Sequence, residues 1–211
     1  MNTTRETGEG RAQFRRFLAG QTPERVFAWP TGHPSQPTGF CACDRWLLPR
    51  CWFYLKAAVL LAVLRGPFNR PKLWLLRRAG ARIGQHVYLS AVVWIDPSFP
   101  QLLTLEDDVM VGVGARIAMH EYGRDQFRAG RVVIRKGAVI GGFALIGHDV
   151  EIGEGAVVAG GAVVGRDVPA GMMAVGNPAR VLPLTAGSAE NTRVTSVPCQ
   201  PLCQADGSDL S

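Results

Sequence analysis

Too few cysteines are present to staple this chain of 211 residues, which holds only five. A disulfide scaffold is therefore excluded, and free thiols are the expected state. Cys41 and Cys43 stand one residue apart, too tight for the usual zinc pair, and Cys51, Cys199 and Cys203 add no recognisable spacing. Aromatic residues are scarce at 8%, while glycine is abundant at 25 residues. That balance argues against a sandwich closed over bulky rings and favours a tightly wound chain. No apolar stretch opens the sequence: residues 1–40 are polar and rich in Gly, Pro and Thr. No signal peptide is expected, and the default location is cytoplasmic. Acidic residues are missing from one long interval. Between Asp44 and Asp96 there is none, while the interval holds Arg45, Arg50, Lys56, Arg65, Arg70, Lys72, Arg77, Arg78 and Arg82. Such a basic, apolar stretch suits a membrane surface or an anionic partner, the alternative being a solvated basic face.

The length fits one core-bearing domain with appendages. Residues 1–44 read as a flexible tail, since the run from Pro30 to Gly39 is built of turn formers. Residues 45–80 read as an apolar, basic helical segment. Its run Trp52 to Leu64 is interrupted by Lys56 and is shorter than the ~20 residues a spanning helix needs. A second short helix is expected from Pro71 to Ala79, with Gly80 at its C-terminal end. The pair would lie on a membrane or cap one end of the following domain. Residues 81–182 carry a repeat, and residues 183–211 are small and polar and expected to be disordered.

The repeat has a period of six. Aliphatic residues recur at Ile83, Leu89 and Ile95, resume at Leu105, Val111 and Ile117, and resume again at Ile134, Ile140, Ile146, Ile152, Val158 and Val164. Four residues after most of them stands a second small or β-branched side chain, among them Val87, Val109, Ala115, Ala138, Ala144, Ala156 and Ala162. Helices repeat their apolar face at three or four residues and strands at two, so a period of six is neither. It fits short strands joined by tight corners, three strands to a triangular coil, with the aliphatic residue inside. Gly84, Gly112, Gly141, Gly147, Gly153 and Gly165 each follow an aliphatic anchor and permit positive φ or close backbone approach at corners.

This pattern resembles the bacterial hexapeptide-repeat acyltransferases. The ending Gly176-Asn-Pro-Ala-Arg180 is similar to the exit from the coil in O-acetyltransferases of the galactoside and maltose type and in polysaccharide O-acetyltransferases. The resemblance implies an all-β fold, a left-handed parallel β-helix over 81–182, preceded by an α-helical extension. It implies a homotrimer that transfers an acetyl group from acetyl-CoA, with no metal and no nucleic acid partner. The acceptor it implies is a hydroxyl of a sugar, polysaccharide or lipid-linked glycan.

By the same resemblance His120 is the general base. It lies in the last hexapeptide before an eleven-residue insertion, where an imidazole can take a proton from a hydroxyl at neutral pH. The bland alternative is a surface histidine at the base of a loop. Glu121 or Asp125 would orient the ring. Gly142, Gly160 and Gly161 match positions where the pantetheine arm approaches the backbone, and Arg166 and Arg180 match positions that contact the nucleotide phosphates. A tryptophan common in that coil is replaced by Val139. Ser90 and Asp96 fall where the family binds its acceptor. The insertion would act as a lid or as a contact to a neighbouring subunit. Two other readings stand beside this one. His86, His120 and His148 on such a coil also resemble a γ-class carbonic anhydrase, although His148 is one residue out of phase. The third is a β-helix scaffold without chemistry.

Overall fold

The computed structural model describes residues 3–30, 47–123 and 126–184. Residues 81–182 wind into a triangular β-helix with three parallel faces. The first face stacks β2 (Arg82–Ile83), β5 (Leu103–Leu105), β10 (Val132–Ile134) and β13 (Val150–Ile152). The second stacks β3 (Tyr88–Leu89), β6 (Met110–Val111), β11 (Val139–Ile140), β14 (Val157–Val158) and β16 (Met172–Val175), closed by antiparallel β17 (Arg180–Pro183). The third stacks β4 (Trp94–Ile95), β7 (Arg116–Ile117), β12 (Leu145–Ile146) and β15 (Val163–Val164). Val132 pairs with Val150, Val139 with Val157 and Leu145 with Val163, one full coil apart on every face.

The six-residue period has a direct structural cause. From Leu89 onward every aliphatic anchor is at most 1% exposed, and together they form the central column. Burying one such side chain contributes about 1.5–3 kcal/mol. The position three residues after an anchor turns the corner with positive φ. There stand His86, Val92, Asp108, Gly114, Gly137, Phe143, Asp149, Gly155 and Gly161. Val92 adopts φ 58°, a costly conformation for a β-branched residue, held by the coils around it. At Gly141, directly after an anchor, the glycine serves a different purpose from the one its flexibility suggests. A Cβ on Gly141 would stand 2.5 Å from the backbone nitrogen of Gly160, so the residue is small because the next coil lies against it.

A solenoid exposes unpaired backbone groups at its first coil, and α3 covers them. Helices α2 (Leu47–Arg65) and α3 (Asn69–Arg78) precede the coil and bury Leu60, Leu64 and Leu76. Asn69 of α3 donates to the Val87 carbonyl at 2.8 Å and accepts from the Leu89 N–H at 3.0 Å. Lys72, fully buried, donates to the carbonyls of Leu89 at 3.2 Å and Ser90 at 2.6 Å. Arg77 donates to the carbonyls of Ile83 and Gly84. Three side chains thus replace the coil that would otherwise lie below. Burial pushes the Lys72 ammonium below its usual range. No helix among the described residues is long and apolar enough to cross a membrane.

The reading of residues 1–44 as a flexible tail is corrected for the described part. Thr3–Leu18 forms α1 and Val26–Pro30 forms β1. Strand β1 pairs antiparallel with β9 (Gln126–Gly130), which pairs in turn with β8 (His120–Tyr122). Phe14 and Phe17 of α1 pack with Phe27 and Phe127, all four buried. Gly10 lets the helix cross Trp29, since a Cβ there would stand 2.5 Å from the indole ring. Arg25 ties this extension to the coils. Its guanidinium donates to both Asp167 carboxylate oxygens at 2.9 Å and lies 3.1 Å from Asp149. The bond from Arg25 holds the Asp167 carboxyl below its usual range. The segment expected to be disordered from residue 183 begins with the last residue of β17, and residues 185–211 lie outside those described.

Candidate active site

The eleven-residue insertion is a hairpin that leaves the third corner as β8 and returns as β9. His120 opens β8 just as the chain departs from the coil. One coil below, Asp96 follows Ile95 at the same corner, where the chain leaves for its four-residue insertion. The two irregularities of the repeat therefore meet. The Asp96 carboxylate oxygen Oδ2 bonds Nδ1 of His120. Asp96 is 1% exposed, and the His120 side chain is 21% exposed.

This arrangement corrects the expectation that Asp96 binds an acceptor. Its oxygens face inward and are already engaged: Oδ1 accepts from the Ser98 N–H at 2.9 Å, and Oδ2 accepts from the Met119 N–H at 3.4 Å as well as from the imidazole. A carboxylate so placed fixes the ring. With Nδ1–H donating to Asp96, the lone pair of Nε2 is free to accept a proton. Aromatic rings complete the setting. Phe99 stands edge-on to the imidazole at 5.2 Å, Tyr122 at 5.5 Å, and Phe127 lies at 5.9 Å. Phe99 and Phe127 also touch Phe14, so the N-terminal helix buttresses the histidine from behind.

The other expected residues fall elsewhere. Glu121 does not orient His120; its carboxylate lies 3.7 Å from Nδ1 of His148. Asp125 lies outside the described residues. His148 sits one coil above His120, and burial pushes its imidazole below the usual range against the opposing pull of Glu121. His86 is 79% exposed and pairs with Asp108 at a different corner. Among the described residues, no group of three or more His, Cys, Asp or Glu side chains is placed to hold a metal ion. Ser90 lies at the second corner, a strand away from Asp96, with its carbonyl taken by Lys72. Gly142, Gly160 and Gly161 line that second corner as a side-chain-free column, in which Gly161 N–H donates to the Gly142 carbonyl at 2.9 Å. Arg166 and Arg180, both exposed, follow at the far end of the coil.

Of the functional arrangement, sequence reasoning missed the Asp96–His120 pair and the part played by α1 and β1. The first had a signal: both residues sit at an insertion, and Ile95 and Ile117 share a register position.

A family model for bacterial transferase hexapeptide repeats matches residues 131–166. The YvoF protein of Bacillus subtilis (strain 168), a candidate acetyltransferase by its name, is 34% identical over 117 residues, covering 55% of this chain and 68% of its own. The hexapeptide-repeat acetyltransferase VCA0836 of Vibrio cholerae O1 biovar eltor, solved with acetyl coenzyme A, superposes with a TM-score of 0.54 at 23% identity, covering 66% of this chain and 90% of that one. A galactoside acetyltransferase solved with coenzyme A superposes with a TM-score of 0.52 at 16% identity, covering 83% and 92%. The chain is a bacterial hexapeptide-repeat transferase wound as a left-handed parallel β-helix. Within that class it belongs to the hexapeptide-repeat acetyltransferases.

Proposed function

We propose that this protein is a cytoplasmic O-acetyltransferase that moves the acetyl group of acetyl-CoA to a hydroxyl of a sugar, polysaccharide or lipid-linked glycan. The observation that carries the proposal is the buried Asp96 carboxylate on Nδ1 of His120, which aims Nε2 of a half-buried imidazole outward. The donor's chemistry fits the residues present. The glycine column at Gly142, Gly160 and Gly161 leaves backbone accessible to a slender arm, and a Cβ at Gly161 would meet nothing within 4 Å. Arg166 and Arg180 offer planar, permanently charged forks suited to phosphates. The sequence similarity to the Bacillus subtilis YvoF protein, a candidate acetyltransferase by its name, spans two thirds of that protein and supports the same reading.

Acetyl-CoA supplies the acetyl group as an activated thioester. His120 performs the proton chemistry: Nε2 takes the acceptor hydroxyl's proton as its oxygen bonds to the acetyl carbon, and the imidazolium returns that proton to the departing sulfur. Asp96 holds the ring in one tautomer and stabilises its cationic form. Phe99, Tyr122 and Phe127 keep water from the ring's flanks, which strengthens that interaction.

A homotrimer is part of the proposal. His120 lies at the third corner and the glycine column at the second, so a neighbouring copy can bring one chain's base to another's donor groove. The second face and its adjoining corner support this, with Tyr88 and Met110 exposed on the face and Val92 and Phe143 exposed at the corner. Peripheral contact of residues 45–80 with the inner membrane face is supported by their basic, apolar character.

The test is calorimetric titration with acetyl-CoA, followed by acetyl transfer to a panel of sugars. Saturable binding near one site per subunit is expected, and His120→Ala should keep that binding while losing transfer. A native protein that binds no acetyl-CoA would retire the proposal.

A further inference from the structure

Between α2, α3 and the loop after Asp96 runs a groove of about 540 Å³. Trp52, Leu55 and Val59 of α2 form one wall, 58%, 53% and 46% exposed. Their spacing places them on one stripe of the helix. The opposite wall is Pro97, Ser98 and Pro100. That wall is shared with the candidate active site, because Ser98 N–H binds Asp96 and Phe99 stands against His120. Cations edge the groove. The Lys56 ammonium lies 5.1 Å from the Trp52 ring and the Arg78 guanidinium 5.7 Å from the Trp74 ring. Cations stacked on exposed indoles beside an apolar stripe are the composition of a surface seated at a lipid headgroup layer.

We propose that this groove takes the hydrocarbon chain of an anionic membrane lipid, with Lys56 and Arg78 on its phosphate. The charge pattern selects that occupant. The interval from Arg45 to Ile95 carries nine basic residues and no acidic one. A second copy of the same segment would set like charges against each other, whereas an anionic headgroup neutralises them. The membrane contact proposed above thereby gains a defined site, one loop away from His120, and an acceptor carried on lipid would be delivered to the base along that loop. The inference rests on that membrane contact and is independent of acyl transfer.

The experiment uses the full chain and vesicles of phosphatidylcholine, with or without phosphatidylglycerol, whose acyl chains carry bromine to quench nearby tryptophan. Sedimentation with phosphatidylglycerol vesicles alone is expected, weakened by salt. Tryptophan fluorescence should fall on binding, and Trp52→Phe should remove most of that fall while vesicle binding persists. Leu55→Asp and Lys56→Glu should each weaken vesicle binding at least tenfold and leave acetyl-CoA titration unchanged. Equal binding to neutral vesicles overturns the proposal. So does vesicle binding without quenching of Trp52, which would mean that residues 31–46 or a second copy fill the groove. Failure of acetyl-CoA to bind the native protein would sink the transferase reading and leave this one standing.

Discussion

Asp96 costs free energy to bury, and three donors face its carboxylate in compensation. Its replacement by Asn keeps the shape and inverts the chemistry. An amide can donate to Nδ1, which moves the imidazole proton to Nε2 and occupies the lone pair that must accept. Asp96→Asn should therefore lower kcat by about 10³–10⁴-fold, as loss of the orienting carboxylate does in a catalytic triad. Acetyl-CoA affinity measured by calorimetry should not change. His148 yields a prediction of a different kind. Its pKa is lowered in the folded state, chiefly by burial. Below its unfolded value of about 6.5 the unfolded chain binds the proton first. The contribution of this group to stability is complete above that pH and is lost as pH falls through the lowered folded pKa. Between pH 7 and pH 5 the native protein should lose more in Tm than His148→Gln does, measured by differential scanning calorimetry. An equal loss in both would show that the ring is solvated.

The α3 helix acts as a missing coil, and Lys72 is its most exposed test, in energetic terms, of that role. Lys72→Met removes the donor to the buried Leu89 carbonyl and the partly buried Ser90 carbonyl, a cost of about 1–3 kcal/mol per unsatisfied buried group that relief of the buried charge partly offsets. Because burial lowers the Lys72 pKa, the unfolded chain holds more protons between the folded value and 10.5. Native stability should rise with pH through that window. The midpoint of urea unfolding should be lower in Lys72→Met at pH 7, and the gap should widen as pH approaches 10. A gap that narrows would show that the lysine is not confined by the coil edge. The β8–β9 hairpin depends in the same way on elements distant in sequence. Strand β1 hydrogen-bonds its outer edge and α1 fills the space behind it. An edge strand so covered is protected from pairing with other chains.

For the whole molecule, the apolar second face is the feature that a single chain leaves unexplained. Met110, 45% exposed on that face, and Phe143, 71% exposed at its edge where the ring lies over Gly114, belong to adjacent coils. Such a patch on a rigid prism is the surface on which the proposed trimer would close. Met110→Glu combined with Phe143→Glu should convert the proposed trimer to monomers in sedimentation equilibrium while preserving the circular dichroism of the β-helix. Transfer activity should fall by at least tenfold if the base and the donor groove come from different copies. Unchanged mass in the variant would place the interface on another face.

The sequence by itself determined the triangular coil, because a period of six fits neither a helix nor a long strand, while its left hand came from the family resemblance. Ile134 to Val164 could be placed on their faces from spacing alone, and so could His120 beside the insertion. The same reading went astray over residues 1–44, where polar and turn-forming residues hid Phe14, Phe17 and Phe27, whose partner Phe127 lies a hundred residues on. It also misjudged Asp96, since a carboxylate next to a loop looks solvated until the coil above it is in place. Tertiary structure decided these points for a physical reason. Local periodicity reports which residues face inward within one coil, but a buried charge and a docked strand are stabilised only by groups that stacking and chain return bring to them.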